Sequence, residues 1–373
     1  MINISSLNKG LVAHFRLAAD LQKVGANIIT GDNSTFDALA DWTAYNSGSL
    51  AIVGDWAGGA GTGKGKITLH TTGASGVRMI SLSGLTIGKT YYGSIKSKLL
   101  SGSSVTMYLG YVGNASASIV FVPTATETVF TGTFVAFSST MYIAANTGSD
   151  SQEVLIDDVY VKPLLIADLT PYGNHPQNFG VTLDQADRKG VANGAGAFAN
   201  TEYFDCGDVD FSDGLSGFSA SAWVYPTVLG NDDGFFGKSN GGNDRFVLAV
   251  RNGDGGVIGA VCNGAASYAY TGDGKLALTT WAHVLMVFDG TGATDADKFK
   301  IYVNGSNEAL TFNASPPTTM PTNNISLKLG REPDNALRFF NGNIGEIKMW
   351  NRALTATEIL AEYNSYKSNL VVS

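Results

Sequence analysis

Four histidines, two cysteines and a scatter of carboxylates are the residues of this chain that could carry covalent, acid–base or metal chemistry. Their spacing argues against most of it. His14, His70, His175 and His283 stand far apart, with no HExxH run and no Cys/His pair at zinc spacing. Cys206 and Cys262 are too few for a disulfide framework and read as small buried thiols, a single bridge being the alternative. Nucleophilic hydrolysis would call for a GxSxG serine elbow or a Cys/His pair, and neither is expected. The run 58–65, GGAGTGKG, spells part of a phosphate loop, but Gly65 stands where Ser or Thr would hold magnesium. The residues after it alternate as a strand and do not open a helix, so it reads as a plain loop. Asp157 and Asp158 are adjacent, so on a regular strand they point to opposite faces and cannot share a site. No E-x-D-x-x-E run supplies the paired carboxylates of glycoside hydrolysis.

What remains is non-covalent binding. Sugar rings are held by aromatic side chains stacked on their CH faces, with Asn, Asp or Arg fixing the hydroxyls. Trp42, Tyr45, Trp56, Tyr92, Tyr108 and Tyr111 are available in the first half of the chain. Trp56 leads, because it precedes the glycine-rich loop and lacks strand alternation around it; Tyr45, Tyr92 and Tyr108 join it as candidates. Trp42 reads as core, as do Trp223, Trp281 and Trp350, which lie in strand motifs. Tyr108 and Tyr111 are three apart and face opposite sides of a strand. Calcium is the credible ion, since its hard oxygen ligands come from loop Asp, Asn and carbonyl groups. Solvated turn aspartates are the competing reading for any loop Asp.

The elements that must position these groups are strands. Period-two alternation recurs, for example over 66–70, 154–161, 281–289 and 298–304, and turn pairs such as Asn193-Gly194, Asp213-Gly214 and Asn304-Gly305 separate the runs. With 46 glycines against 9 prolines, the pattern predicts an all-β chain of antiparallel sandwiches or jelly rolls. One helix is expected near the end, where Thr355-Ala-Thr-Glu358 fits a capping box and Ile359, Leu360 and Tyr363 give an apolar face. Formal net charge is 24 − 32 = −8, with no Lys/Arg run, which disfavours nucleic acid. No window of 18 apolar residues is present, so no membrane-inserted helix is expected, and the first residues do not read as a secretory signal.

From about Leu164 the residues resemble concanavalin A-like, laminin G-like jelly rolls. The pieces in order are the turn Ala167–His175, the pair Gly196–Phe198 and Glu202–Phe204, then Phe218–Val224, Thr280–Val284, Lys300–Gly305, Leu329-Gly330 and Gly342–Leu354 with its capped helix. The last block departs from the family where an Asp is usual at Gly345 or Glu346. The family's first strand is matched by Gly10–Leu17, about 150 residues early, which implies a domain inserted between strand and turn. The expected domains are therefore 1–25 plus 164–373, a jelly roll, and 26–163, the insert. In the insert, Asn27–Phe36 with Trp42, Leu82–Tyr92 and Val154–Val161 resemble the opening, hairpin and closing strand of jelly-roll carbohydrate-binding modules. The resemblance implies one calcium at the jelly roll's rim, with Asp208 (or Asp210) and Asp289 as candidate ligands, and a structural calcium in the insert, which Asp32 and Asp158 would suit.

Both domain types recognise glycans or proteins on surfaces. With no standard export signal visible, the expectation is a non-enzymatic virion surface protein (tail or head fibre, or capsid-decorating) that binds host or environmental glycans. It would be a homo-oligomer in contact with other virion proteins. The alternatives are a bacterial surface or secreted carbohydrate-binding protein, a purely structural virion assembly protein, and a glycan-cleaving enzyme.

Overall fold

The structure, a computed structural model, describes residues 7–18, 22–25, 28–29, 42–46, 49–54, 63–69, 74–79, 85–111, 113–145, 152–199, 201–229, 232–240, 243–251, 253–333 and 338–365. The fold is all-β, and the chain divides into two compact units, Met1–Lys23 with Ile166–Ser373, and Val24–Leu165.

The first unit is a sandwich of two antiparallel sheets. One runs Thr182–Gln185, Ala195–Phe198, Gly342–Trp350, Gly217–Pro226, Ala282–Asp289, Phe299–Val303, Ser306–Asn307. The other runs Gln177–Phe179, Tyr203–Asp208, Ser326–Leu329, Gly234–Ser239, Asp244–Arg251, Gly256–Asn263, Tyr268–Thr271, Leu310–Phe312. Alternate residues turn inward: Phe218, Ala220, Ala222 and Val224 from the first sheet meet Phe246, Leu248 and Val250 from the second in one buried core. Gly330 shows how tightly it closes. Its φ is +85°, and a Cβ there would stand 2.2 Å from the Phe198 ring.

The strand Leu11–Arg16 belongs to this unit. It pairs with Gly342–Trp350 (Phe15 opposite Ile347) on the same edge that Ala195–Phe198 occupies further along. The Asp168 carboxylate holds it there. That buried group accepts hydrogen bonds from the amides of His14 (3.1 Å), Thr170 (3.0 Å) and Asn174 (3.0 Å), and from the Thr170 hydroxyl (2.9 Å). The Asn174 side-chain amide returns a bond to Val12 O, at 3.2 Å.

The capping box forms: Thr355 N donates to Glu358 Oε2 (2.9 Å) and Glu358 N to Thr355 Oγ1 (3.3 Å), while Arg352 grips the same carboxylate through two nitrogens at 2.9 Å. The Arg352 guanidinium brings the Glu358 pKa down to about 2. The helix that follows, Ala356–Ser365, covers the outer face of the first sheet, with Ile359 on Leu285, Val287, Tyr302 and Trp350. Beneath it lies His283, fully buried, its ring 5.1 Å from that of Trp223 and 5.9 Å from that of Tyr363. Neither ring nitrogen has a hydrogen-bond partner among the described residues. Burial, then the Lys348 charge, with Arg188 in the same sense and Glu346 opposing, brings its pKa down to about 3.

The second unit is also a sandwich. Thr128–Val135, Thr90–Ser101, Glu153–Ile166, Lys64–Thr68 and Ser49–Val53 form one sheet; Trp42–Tyr45, Ser75–Met79, Tyr142–Ala145, Met107–Gly110 and Ser118–Phe121 form the other. Trp42, Tyr91, Ile95, Met107, Leu109, Phe121 and Ile143 share its core. Among the described residues no helix is long and apolar enough to cross a membrane.

Two outcomes follow for stability. Replacing Asp168 by Ala strips several donors of a charged acceptor, so urea unfolding shows a loss of about 3 kcal/mol, with Asn in its place losing less. For His283 the ordinary pKa of 6.5 applies to the unfolded chain and about 3 to the folded one. Above pH 6.5 both states are neutral and the group contributes nothing. Below it the unfolded chain takes up a proton that the fold refuses, so stability falls by about 1.4 kcal/mol per pH unit until roughly pH 3. The difference in unfolding free energy between the protein and His283→Phe, measured from pH 7 to 4, carries that slope; a flat difference contradicts it.

Candidate functional site

On Asp244–Arg251 the residues between the core positions face away from the core: Arg245, Val247 and Ala249. Their neighbours across the ladder are Cys262, Ala260 and Ile258, and Ala260 in turn opposes Tyr268. The side chains in the middle of this outer face are small, and a depression of about 400 Å³ forms over Val247, Ala249, Ile258 and Ala260. That volume lies near the lower end of small-molecule sites, about 300–1,000 Å³.

Charged groups stand at its edge. Glu332, only 4% exposed, accepts from Arg245 Nη1 through Oε1 (3.3 Å) and from Arg338 Nη1 through Oε2 (2.8 Å). Asp232 Oδ2 lies 3.4 Å from the same Arg338 nitrogen. Asp232 has a φ of 60°, in the left-handed region that Asp tolerates better than most residues. Next to this ring Arg331 lies 4.9 Å from the ring centres of both Tyr203 and Phe339, which braces the segment carrying Glu332. Two guanidinia and two carboxylates cancel, leaving a neutral mouth dense in donors and acceptors above an apolar floor, with the Tyr268 ring beside it. Such an arrangement can hold a ring with one apolar face and several hydroxyls.

The residues singled out from sequence lie elsewhere. Trp56, Asp32 and His70 fall outside the described residues, as does most of the 58–65 run; Lys64 from that run begins a strand and pairs with Asp157 at 2.9 Å. Tyr45 ends the strand Trp42–Tyr45. Tyr92 and Tyr108 are half-buried on the outer faces of the two opposed sheets, each next to an inward core residue (Tyr91, and Met107 with Leu109), so they do not line one groove. Tyr111 instead meets Phe137 (5.1 Å) and Tyr142 (6.1 Å), and Phe137 is 61% exposed.

The described calcium candidates lie apart, each with its own partners. Asp158 Oδ2 is 3.2 Å from Lys96 Nζ, Asp208 Oδ1 is 3.0 Å from the buried Lys238 Nζ, and Asp289 accepts from Thr291 in its own turn. Asp210 begins a single 3-10 turn, Asp210–Ser212. Among the described residues no group of three or more His, Cys, Asp or Glu could hold a metal ion.

Three readings need correction, and the reading of two free thiols stands. Asp157 and Asp158 do not face opposite ways: the pairing register shifts between Asp157 and Tyr160, and Asp158 has a φ of 47°. This bulge turns both carboxylates outward, onto Lys64 and Lys96. A GxSxG spelling does occur, at 237–241, but Ser239 is buried at the end of a strand that continues into the next strand, not into a helix. Trp281 is half-buried against Tyr225 (5.5 Å), outside the core that takes Trp42 and the cluster that takes Trp350. Cys262 is buried and Cys206 partly so, both as free thiols. Arg245, Glu332, Arg338, Asp232 and Tyr268 went unnoticed in the sequence. Only the outward phase of the strand bearing Arg245 was a signal, and nothing local brings residues 232, 245, 332 and 338 together.

Residues 198–360, within the first unit, match the family model of the concanavalin A-like lectin/glucanases superfamily. No curated protein sequence matches the chain. Among solved structures it is similar to the CBM40 of Ruminococcus gnavus IT-sialidase bound to α2,3-sialyllactose (18% identity, 40% of this chain and 83% of that one, TM-score 0.34). It is also similar to domain 4 of AbnA, a GH43 extracellular arabinanase from Geobacillus stearothermophilus, in complex with arabinotriose (19%, 50% and 79%, TM-score 0.37). A third is a heptameric SAP-like pentraxin from Limulus polyphemus (17%, 40% and 71%, TM-score 0.33).

Proposed function

We propose that this chain, with a concanavalin A-like match over residues 198–360, is a non-enzymatic glycan-binding protein whose first unit reads sugars in the depression beside Tyr268. The observation that carries this is the pairing of a small-residue floor with a charge-balanced ring of Arg245, Glu332, Arg338 and Asp232. Guanidinium nitrogens donate to sugar hydroxyls, carboxylate oxygens accept from them, and the floor and Tyr268 take the CH face. Glu332 and Asp232 both stand on Arg338, which suits them to hold hydroxyls. The setting we propose is a virion surface among neighbouring particle proteins, supported by the low share of charged residues (15%) and the many glycines.

The test is a glycan array followed by calorimetric titration of the full chain, in calcium and in chelator. Specific binding is expected, weakened at least tenfold, about 1.4 kcal/mol, by Tyr268→Ala or Arg245→Ala without a change in thermal midpoint. A folded protein that binds no glycan sinks the reading. Binding abolished by Trp56→Ala but untouched by the other two moves the site to the second unit.

A further inference from the structure

The second unit has a side almost without charge. From Leu99 to Ser149 the sequence holds a single charged residue, Glu127. In the fold this stretch supplies both terminal strands on one side of the sandwich. Thr128–Val135 ends one sheet, with Thr90–Ser101 its sole partner strand among the described residues, and Ser118–Phe121 ends the other. The two ends lie together: the Phe121 and Phe130 rings are 5.1 Å apart, and Ile119 lies over Gly132.

Terminal strands present unpaired N–H and C=O groups, and single-chain proteins usually protect them with lysine, proline, bulges or shortness. Ser118–Phe121 is short and is followed by Pro123. Thr128–Val135, TVFTGTFV, has none of these protections: eight residues, no charge, no proline and a regular register throughout. Its outward residues Val129 (56% exposed), Thr131 and Thr133 are open to solvent. Depletion of charge with enrichment in aromatic and branched apolar groups is the composition of an interface centre.

We infer that this strand pairs antiparallel with the same strand of a second copy, joining two sheets about a two-fold axis. Electrostatics favours a second copy. In a two-fold contact each residue near the axis faces its own image, so any charge there meets a like charge. The chain carries a net charge of −8, and this strip is where two acidic copies can touch without that cost. Same-face pairing requires cross-strand partners of equal phase, which sets Thr131 opposite its image and Val129 opposite Thr133 of the other copy. Glu127 then lies opposite Val135, leaving the two Glu127 side chains about 27 Å apart at roughly 3.4 Å per residue.

The inference does not rest on glycan binding. Sedimentation equilibrium of the full chain is expected to give a two-fold mass, about 78 kDa from 39.1 kDa per copy. Val129→Lys with Thr133→Lys places like charges opposite each other at exposed positions and is expected to halve that mass, with the circular dichroism spectrum unchanged. Thr131→Cys is expected to cross-link two copies on mild oxidation, since directly opposed strand residues lie within disulfide reach; this reading stands even if the double-lysine variant misfolds. A monomer at every accessible concentration overturns the proposal, as does a trimer or larger ring. So does a dimer that survives folded double-lysine substitution and gives no Thr131→Cys cross-link.

Discussion

One buried carboxylate ties the first unit together across most of the chain. Asp168 gathers the amides of His14, Thr170 and Asn174, so a strand from residues 11–16 is held against a turn that begins about 150 residues later. A charged acceptor taken out of water is tolerated only when donors surround it, and here those donors are backbone groups whose positions define the fold. What that strand covers depends on it in turn. His14 Nε2 lies 2.5 Å from Glu346, Lys348 bridges toward Glu362 of the helix at 3.1 Å, and Trp350 Nε1 donates to Leu7 O at 2.7 Å. The outer face of the first sheet is covered by the helix and a small set of ion pairs, with His283 buried beneath them, while the strand completes the sheet's edge.

Among the described residues the outer face of the second sheet stays open around the depression, and the contrast is one of side-chain size. Where the first sheet meets its helix with Trp350, Tyr302 and Leu285, the second presents Val247, Ala249 and Ala260. Small residues on a twisted sheet leave room, and the surrounding segments fill its margin with paired charges. Salt bridges of this kind add little to stability when partly exposed. Holding guanidinium and carboxylate groups in fixed positions at a concave surface matters more for recognition than for folding.

The second unit divides its charge by face. Lys64, Lys66 and Lys96 meet Asp157, Glu153 and Asp158 on the outer face of one sheet, helped by a bulge that sends two successive aspartates the same way. The adjoining edge, from Thr128 to Val135, has no charge. Ion pairs on one surface and a bare edge on another are what separates a surface meant for water from one fit to be covered.

By itself the sequence determined the elements. Period-two alternation and Gly-containing turns specified strands, and Thr355 with Glu358 specified the start of the final helix, because these are local rules set by backbone geometry and short-range hydrogen bonds. Family resemblance over the later motifs carried the jelly roll. The tertiary structure decided the rest. Whether Asp157 and Asp158 share a face turned on one bulge, which no alternation count contains. Tyr92 and Tyr108 were separated by the pairing of strands into two different sheets. Asp208 went to Lys238, and the Arg245–Glu332–Arg338 ring was assembled from segments about 90 residues apart. Partners that far apart in sequence are chosen by which strands stack and which side chains are small enough to leave space. That choice is a property of the packed core and of no single segment.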